Sequence, residues 1–265
     1  MTKIAFFDVD GTMIHVPNGM LKPSKNTVNT LKAFQKAGNY IVVASARGVI
    51  PECLNEIDFD GFIGCDGGYI EFHDEVIINH TFSVNELNLQ NSVYEATNGQ
   101  YILNERNNSY YSDKDGELIK KHLRLYDGSD EIREDYDDEW RFQNLNVNTV
   151  TALFYNAKDL HEAKDMLPQD WSINAYDTGH IRMDVHPVGF NKGSACEYLY
   201  QKLNIAYEDT YCFGDGENDI NMFKLIKHSV AMGNASEEVK QYASNVTLSV
   251  DDDGISAYFK KELGI

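Results

Sequence analysis

The sequence predicts an α/β protein whose core is a parallel sheet covered by helices, with a smaller α+β unit inserted into it. Three observations carry this. Short apolar runs alternate with helical stretches near the start of the chain. The texture becomes rich in Asn, Tyr, Asp and Glu from Ser83. The first pattern then returns near Asp184 and continues to the end. The expected division is 1–82 with 185–265 for the core and 83–184 for the insertion.

Lys3 to Phe7 is an apolar run of strand length. Pro23 to Gly38 follows, with Pro near its start, Val28, Leu31 and Phe34 on one helical face, and Gly at its end. Asn39 to Ser45 (NYIVVAS) is continuous and apolar, as a strand covered on both sides must be. Val49 to Ile57 reads as a second helix and Gly61 to Cys65 as a third strand. Right-handed crossovers then place the three strands parallel. Gly68 to Phe72 and Val76 to His80, joined by His73, Asp74 and Glu75, read as a hairpin.

Within the insertion, two pairs of strand candidates are separated by helical segments: Tyr101 to Leu103 with Ser109 to Ser112, and Thr149 to Tyr155 with Ser172 to Tyr176. The acidic stretch Tyr126 to Trp140 reads as a solvated face or loop. The returning core offers helix Lys192 to Leu203, strand Thr210 to Phe213, helix Asn218 to Ile226, strand Ser229 to Met232, helix Ser236 to Tyr242 and strand Asn245 to Leu248.

Composition limits the function. The chain has 265 residues, 42% hydrophobic and 25% charged, which is ordinary for a folded globular protein. A net charge of -19 argues against nucleic acid or an anionic membrane surface as the main partner. It leaves a small phosphorylated ligand open, because distant surface charges are screened beyond about 8–10 Å and local cations decide. Cys53, Cys65, Cys196 and Cys212 are widely spread and form no CxxC, which fits reduced, buried thiols. With no basic-then-apolar leader and no apolar run near the ~18 residues of a membrane span, the expected location is the cytoplasm. Oligomeric state has no signature in the sequence.

The chemistry is concentrated at strand ends. In MTKIAFFDVDGT the first strand runs into Asp8 and Asp10, followed by Gly11 and Thr12. The strand period of two sends both carboxylates the same way, at the carboxyl edge where open α/β sheets bind ligands. Two adjacent carboxylates repel, each raising the cost of ionising the other. They call for a cation or for a reaction that uses them. The stretch YCFGDGENDINMF repeats the pattern with Gly214, Asp215, Gly216, Glu217, Asn218 and Asp219. Hard oxygen ligands of this kind suit Mg²⁺. Ser45 at the end of the second strand and Lys192 at the start of a helix are candidates for holding phosphate. Glu217 reads as structural, and His15, His180 and His186 lack a metal-ligand spacing. Gly233 and Asn234 read as a loop near the site.

DVDGT, Ser45, Lys192 in GFNKGSA, and GDGENDINMF followed by VAMGNAS resemble, in order, the four motifs of the haloacid dehalogenase (HAD) superfamily. The insertion point after the third strand and hairpin is similar to that of its Cof-type, subfamily IIB members with a C2B cap. The resemblance implies a Rossmann-like core, an inserted cap that closes over it, and Mg²⁺-dependent hydrolysis of small phosphate monoesters such as sugar, nucleotide or cofactor phosphates. It implies Asp8 as nucleophile and Asp10 as general acid and base. Asp8, the Asp10 backbone carbonyl and Asp215 would hold the metal, with Asp219 behind them. Ser45, Lys192 and Asn218 would hold phosphate. A phosphotransferase or mutase with the same first half-reaction, and a non-catalytic phospholigand sensor, are the alternatives. The chain departs from the family pattern at Ala46, where Gly is usual, and at Asp66, where Asn is usual. Asp66 is expected near the entrance, shifting preference toward less anionic or amine-bearing compounds.

Overall fold

The computed structural model describes residues 1–106, 108–126, 142–187, 189 and 191–265. It separates into two compact units, Met1–Ile78 with Phe190–Ile265, and Asn79–Gly189. The first begins with β1 (Ile4–Phe7), α1 (Lys25–Lys36), β2 (Tyr40–Ala44) and β3 (Gly61–Gly64). Ser24 starts α1 by accepting a hydrogen bond from the Thr27 amide. Where a helix is expected over Val49 to Ile57, only a short 3₁₀ turn forms, Glu52–Leu54. Pro51 explains this: it has no amide hydrogen and holds the residue before it in extended backbone. Leu54 and Ile57 still reach the core. β4 (Tyr69–Phe72) and β5 (Glu75–Asn79) form the expected hairpin, with His73 and Asp74 both in the left-handed region.

The inserted unit contains α2 (Val84–Ala96), β6 (Gln100–Asn104), β7 (Ser109–Tyr111), α3 (Glu117–Tyr126), β8 (Thr149–Leu153), α4 (Ala157–Met166), β9 (Ser172–Tyr176) and β10 (Arg182–His186). Ser83 and Glu86 form a reciprocal capping box that starts α2. The strands lie in the order β7-β6-β8-β10-β9, with antiparallel neighbours. Two expectations change here. β8 and β9 do not pair with each other, because β10 lies between them. The expected boundary at Asp184 would cut β10, which hydrogen-bonds on both sides within this sheet, so the unit runs on to Gly189. The acidic stretch lies outside the described residues apart from Tyr126.

The chain returns through α5 (Lys192–Lys202), β11 (Thr210–Gly214), α6 (Ile220–Leu225), β12 (His228–Ala231), α7 (Glu237–Lys240), β13 (Asn245–Val246) and α8 (Gly254–Leu263). α6 starts later than expected because Glu217–Asp219 forms a tight turn first. α7 and β13 are shorter than expected. α8 was not among the expected elements: it offers only Ile255, Tyr258 and Phe259 as an apolar face. The large sheet has the order β13-β12-β11-β1-β2-β3-β4-β5, parallel from β13 to β3. Every residue of β1 is buried. Ala5 and Phe7 pack with α1 and α8, and Ile4 and Phe6 with α5 and α6. Burial on both faces accounts for the unbroken apolar run. Among the described residues no helix is long and apolar enough to cross a membrane, and all four cysteines are free thiols.

Candidate active site

β1, β2 and β11 are neighbours with Phe7 level with Val43 and Phe213, so the residues following each strand emerge along one edge. Asp8 is the first of them, its amide donating to Phe213 O at 3.0 Å. Only 7% of Asp8 is exposed. Lys192, at the first turn of α5 and 1% exposed, donates from Nζ to Asp8 Oδ1 at 2.8 Å and to Asp219 Oδ1 at 2.7 Å. An ammonium buried this deeply needs such partners. Burial pushes the Lys192 ammonium down, but the carboxylates of Asp219, Asp8 and Asp66 outweigh it and hold it firmly charged. Burial raises the Asp8 carboxyl well above the ordinary range, and Lys192 opposes that rise.

Asp215 and Asp219 come from the turn after β11. Asp219 Oδ2 accepts from the amides of Asp215 and Gly216, both at 2.9 Å. Asp215 accepts from Thr12 Oγ1 at 3.1 Å and from Asn234 Nδ2 at 3.3 Å, and Asn234 also donates to Gly11 O at 2.8 Å. Burial, with Asp219 next, lifts the Asp215 carboxyl to about 6. Gly11 makes room for this contact: at φ +90°, a Cβ there would lie 2.1 Å from Asp215 Oδ2. Ligand oxygens of Asp8, Asp215 and Asp219 all lie within 4.8 Å of one another. An all-carboxylate oxygen set of this kind fits a hard divalent cation. Both Asp219 oxygens are already engaged by Lys192 and the two amides, so Asp8 and Asp215 are the better-placed ligands.

Asp10 is half exposed, and Arg47 forks its carboxylate with two bonds of 2.9 Å from Nε and a terminal nitrogen. Ser45 is buried and its Oγ accepts from the Arg47 amide at 3.2 Å. Asn218 donates to Asp66 Oδ1 at 3.3 Å. Asp66 is 3% exposed, so it does not stand at an open entrance as expected. Its carboxylate faces inward to Asn218. Thr12 and Arg47 were not singled out from the sequence as site residues; their signals were the T of DGT and the R that follows Ser45 and Ala46. Asn234, expected in a loop near the site, reaches Gly11 and Asp215.

The site lies at the carboxyl edge of a parallel sheet, with the four motif segments in sequence order around it. A family model described as haloacid dehalogenase-like hydrolase matches residues 5–259. The chain belongs to the haloacid dehalogenase-like hydrolases. This HAD protein is a Cof-type phosphatase. It is 28% identical over 275 residues to YkrA of Bacillus subtilis strain 168, covering 100% of this chain and 98% of that one. It is 24% identical over 285 residues to the same organism's 5-amino-6-(5-phospho-D-ribitylamino)uracil phosphatase YwtE, covering 98% of each. The solved structure of the HAD subclass IIB sugar phosphatase BT4131 matches with a TM-score of 0.82 and 28% identity over 98% of both chains.

Proposed function

We propose that this HAD phosphatase is a cytoplasmic, Mg²⁺-dependent enzyme that hydrolyses small phosphate monoesters, sugar, nucleotide or cofactor phosphates, through a phosphorylated Asp8. The observation that carries the reading is Asp8 itself: a nearly buried carboxylate at a strand end, held by Lys192 with Asp215 and Asp219 alongside. Carboxylates form acyl-phosphates with phosphate esters. An Asp8 oxygen attacks phosphorus, and the bond to the leaving oxygen breaks. Asp10, which must enter this step carrying a proton, gives it to that oxygen and is left as the carboxylate. It then accepts a proton from the water that attacks phosphorus and frees Asp8. Arg47 must release Asp10 for these transfers.

Lys192 holds the Asp8 carboxylate in line. Together with Ser45 and Asn218 it would carry the equatorial oxygens, over which the charge of phosphoryl transfer is spread. Asp8, Asp215 and the Asp10 backbone carbonyl would hold Mg²⁺, which when bound supplies charge neutralisation between carboxylate and phosphate. Asp219, fully engaged, keeps Lys192 and the turn in place. The inserted unit is read as the cap, with residues that select the leaving group.

The first test is phosphate release from a panel of phosphorylated metabolites with Mg²⁺ or EDTA. Release is expected with metal only. The metal concentration needed should rise as pH falls below about 6, because Asp215 must lose its proton to act as a ligand. Release insensitive to EDTA would contradict the reading. Phosphate moved only to an added acceptor would instead indicate a transferase, and binding without turnover a sensor.

A further inference from the structure

The turn Cys65–Gly67 meets each of the elements proposed to hold phosphate, two of them through Asp66. The Asp66 amide donates to Ser45 O at 3.1 Å, and its carboxylate accepts from Asn218 Nδ2. The next residue, Gly67, is pressed against the start of α5: at φ +107°, a Cβ there would lie 2.6 Å from Asn191 O, directly before Lys192. Cys65 and Asp66 are both left-handed, at φ 52° and 49°. That backbone is unfavourable for side-chain-bearing residues and persists only where surroundings impose it.

A carboxylate only accepts hydrogen bonds, whereas an amide at this position could donate or accept. Asp66 therefore fixes which end of the Asn218 side chain faces it. It also brings a further buried negative charge to a site that already contains Asp8, Asp215 and Asp219 around one buried ammonium. We propose that Asp66 is a positioning residue that sets how tightly the site holds phosphate, orienting Asn218 and weakening retention of the phosphate product through its charge. This rests on the reading of the site as a phosphate site.

The test is calorimetric binding of inorganic phosphate, with Mg²⁺ present, to the wild type, Asp66→Asn and Asp66→Gly. Asn and Gly are the residues that best accept the left-handed backbone, and thermal melts check that both variants fold. Removing one nearby charge should tighten phosphate binding about tenfold in Asp66→Asn, whose amide oxygen still accepts from Asn218, and by a smaller factor in Asp66→Gly, where Asn218 loses that partner. In Asp66→Asn, KM should fall by a similar factor while kcat does not rise. In Asp66→Gly, kcat should also drop, since Asn218 loses the group that orients it. Affinity within twofold of the wild type in both variants would overturn this role alone. No phosphate binding by any of the three proteins would overturn the phosphate-site reading and this inference together.

Discussion

Asp8→Asn is expected to lower phosphate release by about 10⁴-fold or more, the scale seen when a nucleophile is removed from a covalent mechanism. The amide has nearly the shape of the carboxylate but neither its charge nor its nucleophilicity. Lys192 keeps its second partner, Asp219 at 2.7 Å, so the fold should survive. The measurement is kcat on the best substrate of the panel, beside a thermal melt. Activity within tenfold of the wild type, in a folded variant, would remove Asp8 from the chemistry.

Lys192→Met is expected to be costly in both stability and rate. Nζ bonds two buried carboxylates, and taking away one partner of a buried ion pair typically costs about 3–5 kcal/mol because the remaining charge has no compensation. In the wild type the Lys192 pKa is raised above the ordinary 10.5. Its stabilisation is therefore fully present below 10.5 and lost only as pH rises through the higher folded value. In the variant the Asp8 carboxyl, already raised by burial, loses the ammonium that opposed the rise. The folded variant then binds a proton more readily than the unfolded chain, so its deficit shrinks as pH falls. Urea unfolding in EDTA at pH 8 and at pH 5.5 should show the larger gap at pH 8. A variant within 1 kcal/mol of the wild type at pH 8 would contradict the account; that threshold is on the order of one ordinary hydrogen bond. Loss of the donor should also cost roughly 10²–10³-fold in kcat.

The elements that could be read from sequence are those with a single environment. β1, β2 and β11 are buried on both faces and appear as unbroken apolar runs. Residues that follow such strands fall at one edge by topology alone, which is why Asp8, Ser45 and Asp215 could be placed there before any coordinates. β10 was obscured because its faces differ: Met183 and Val185 enter the core, while Asp184 accepts from Thr151 at 2.8 Å across the sheet. That alternation in a short segment next to a loop resembles a polar linker. The contact between Arg47 and Asp10 joins residues 37 positions apart and depends on the path of the loop after β2. Asp66 misled for a related reason. A charged residue in a Gly-rich turn is ordinarily exposed, whereas here the turn packs against Asn191 through Gly67 and Asp66 is bonded to Ser45 and Asn218.

The claim that Asp8 carries the phosphoryl group can be tested directly by borohydride trapping. Reduction of an acyl-phosphate converts the aspartyl side chain to homoserine, which peptide mass spectrometry locates. With Asp10→Asn given Mg²⁺ and an aryl phosphate, whose phenolate leaves without a proton from Asp10, the first step should proceed while the water attack that frees Asp8 is slowed, and the mass change should appear at position 8 and only when substrate is present. Phosphate release by the wild type with no trapped residue, or with the change at any other carboxylate, would contradict the mechanism.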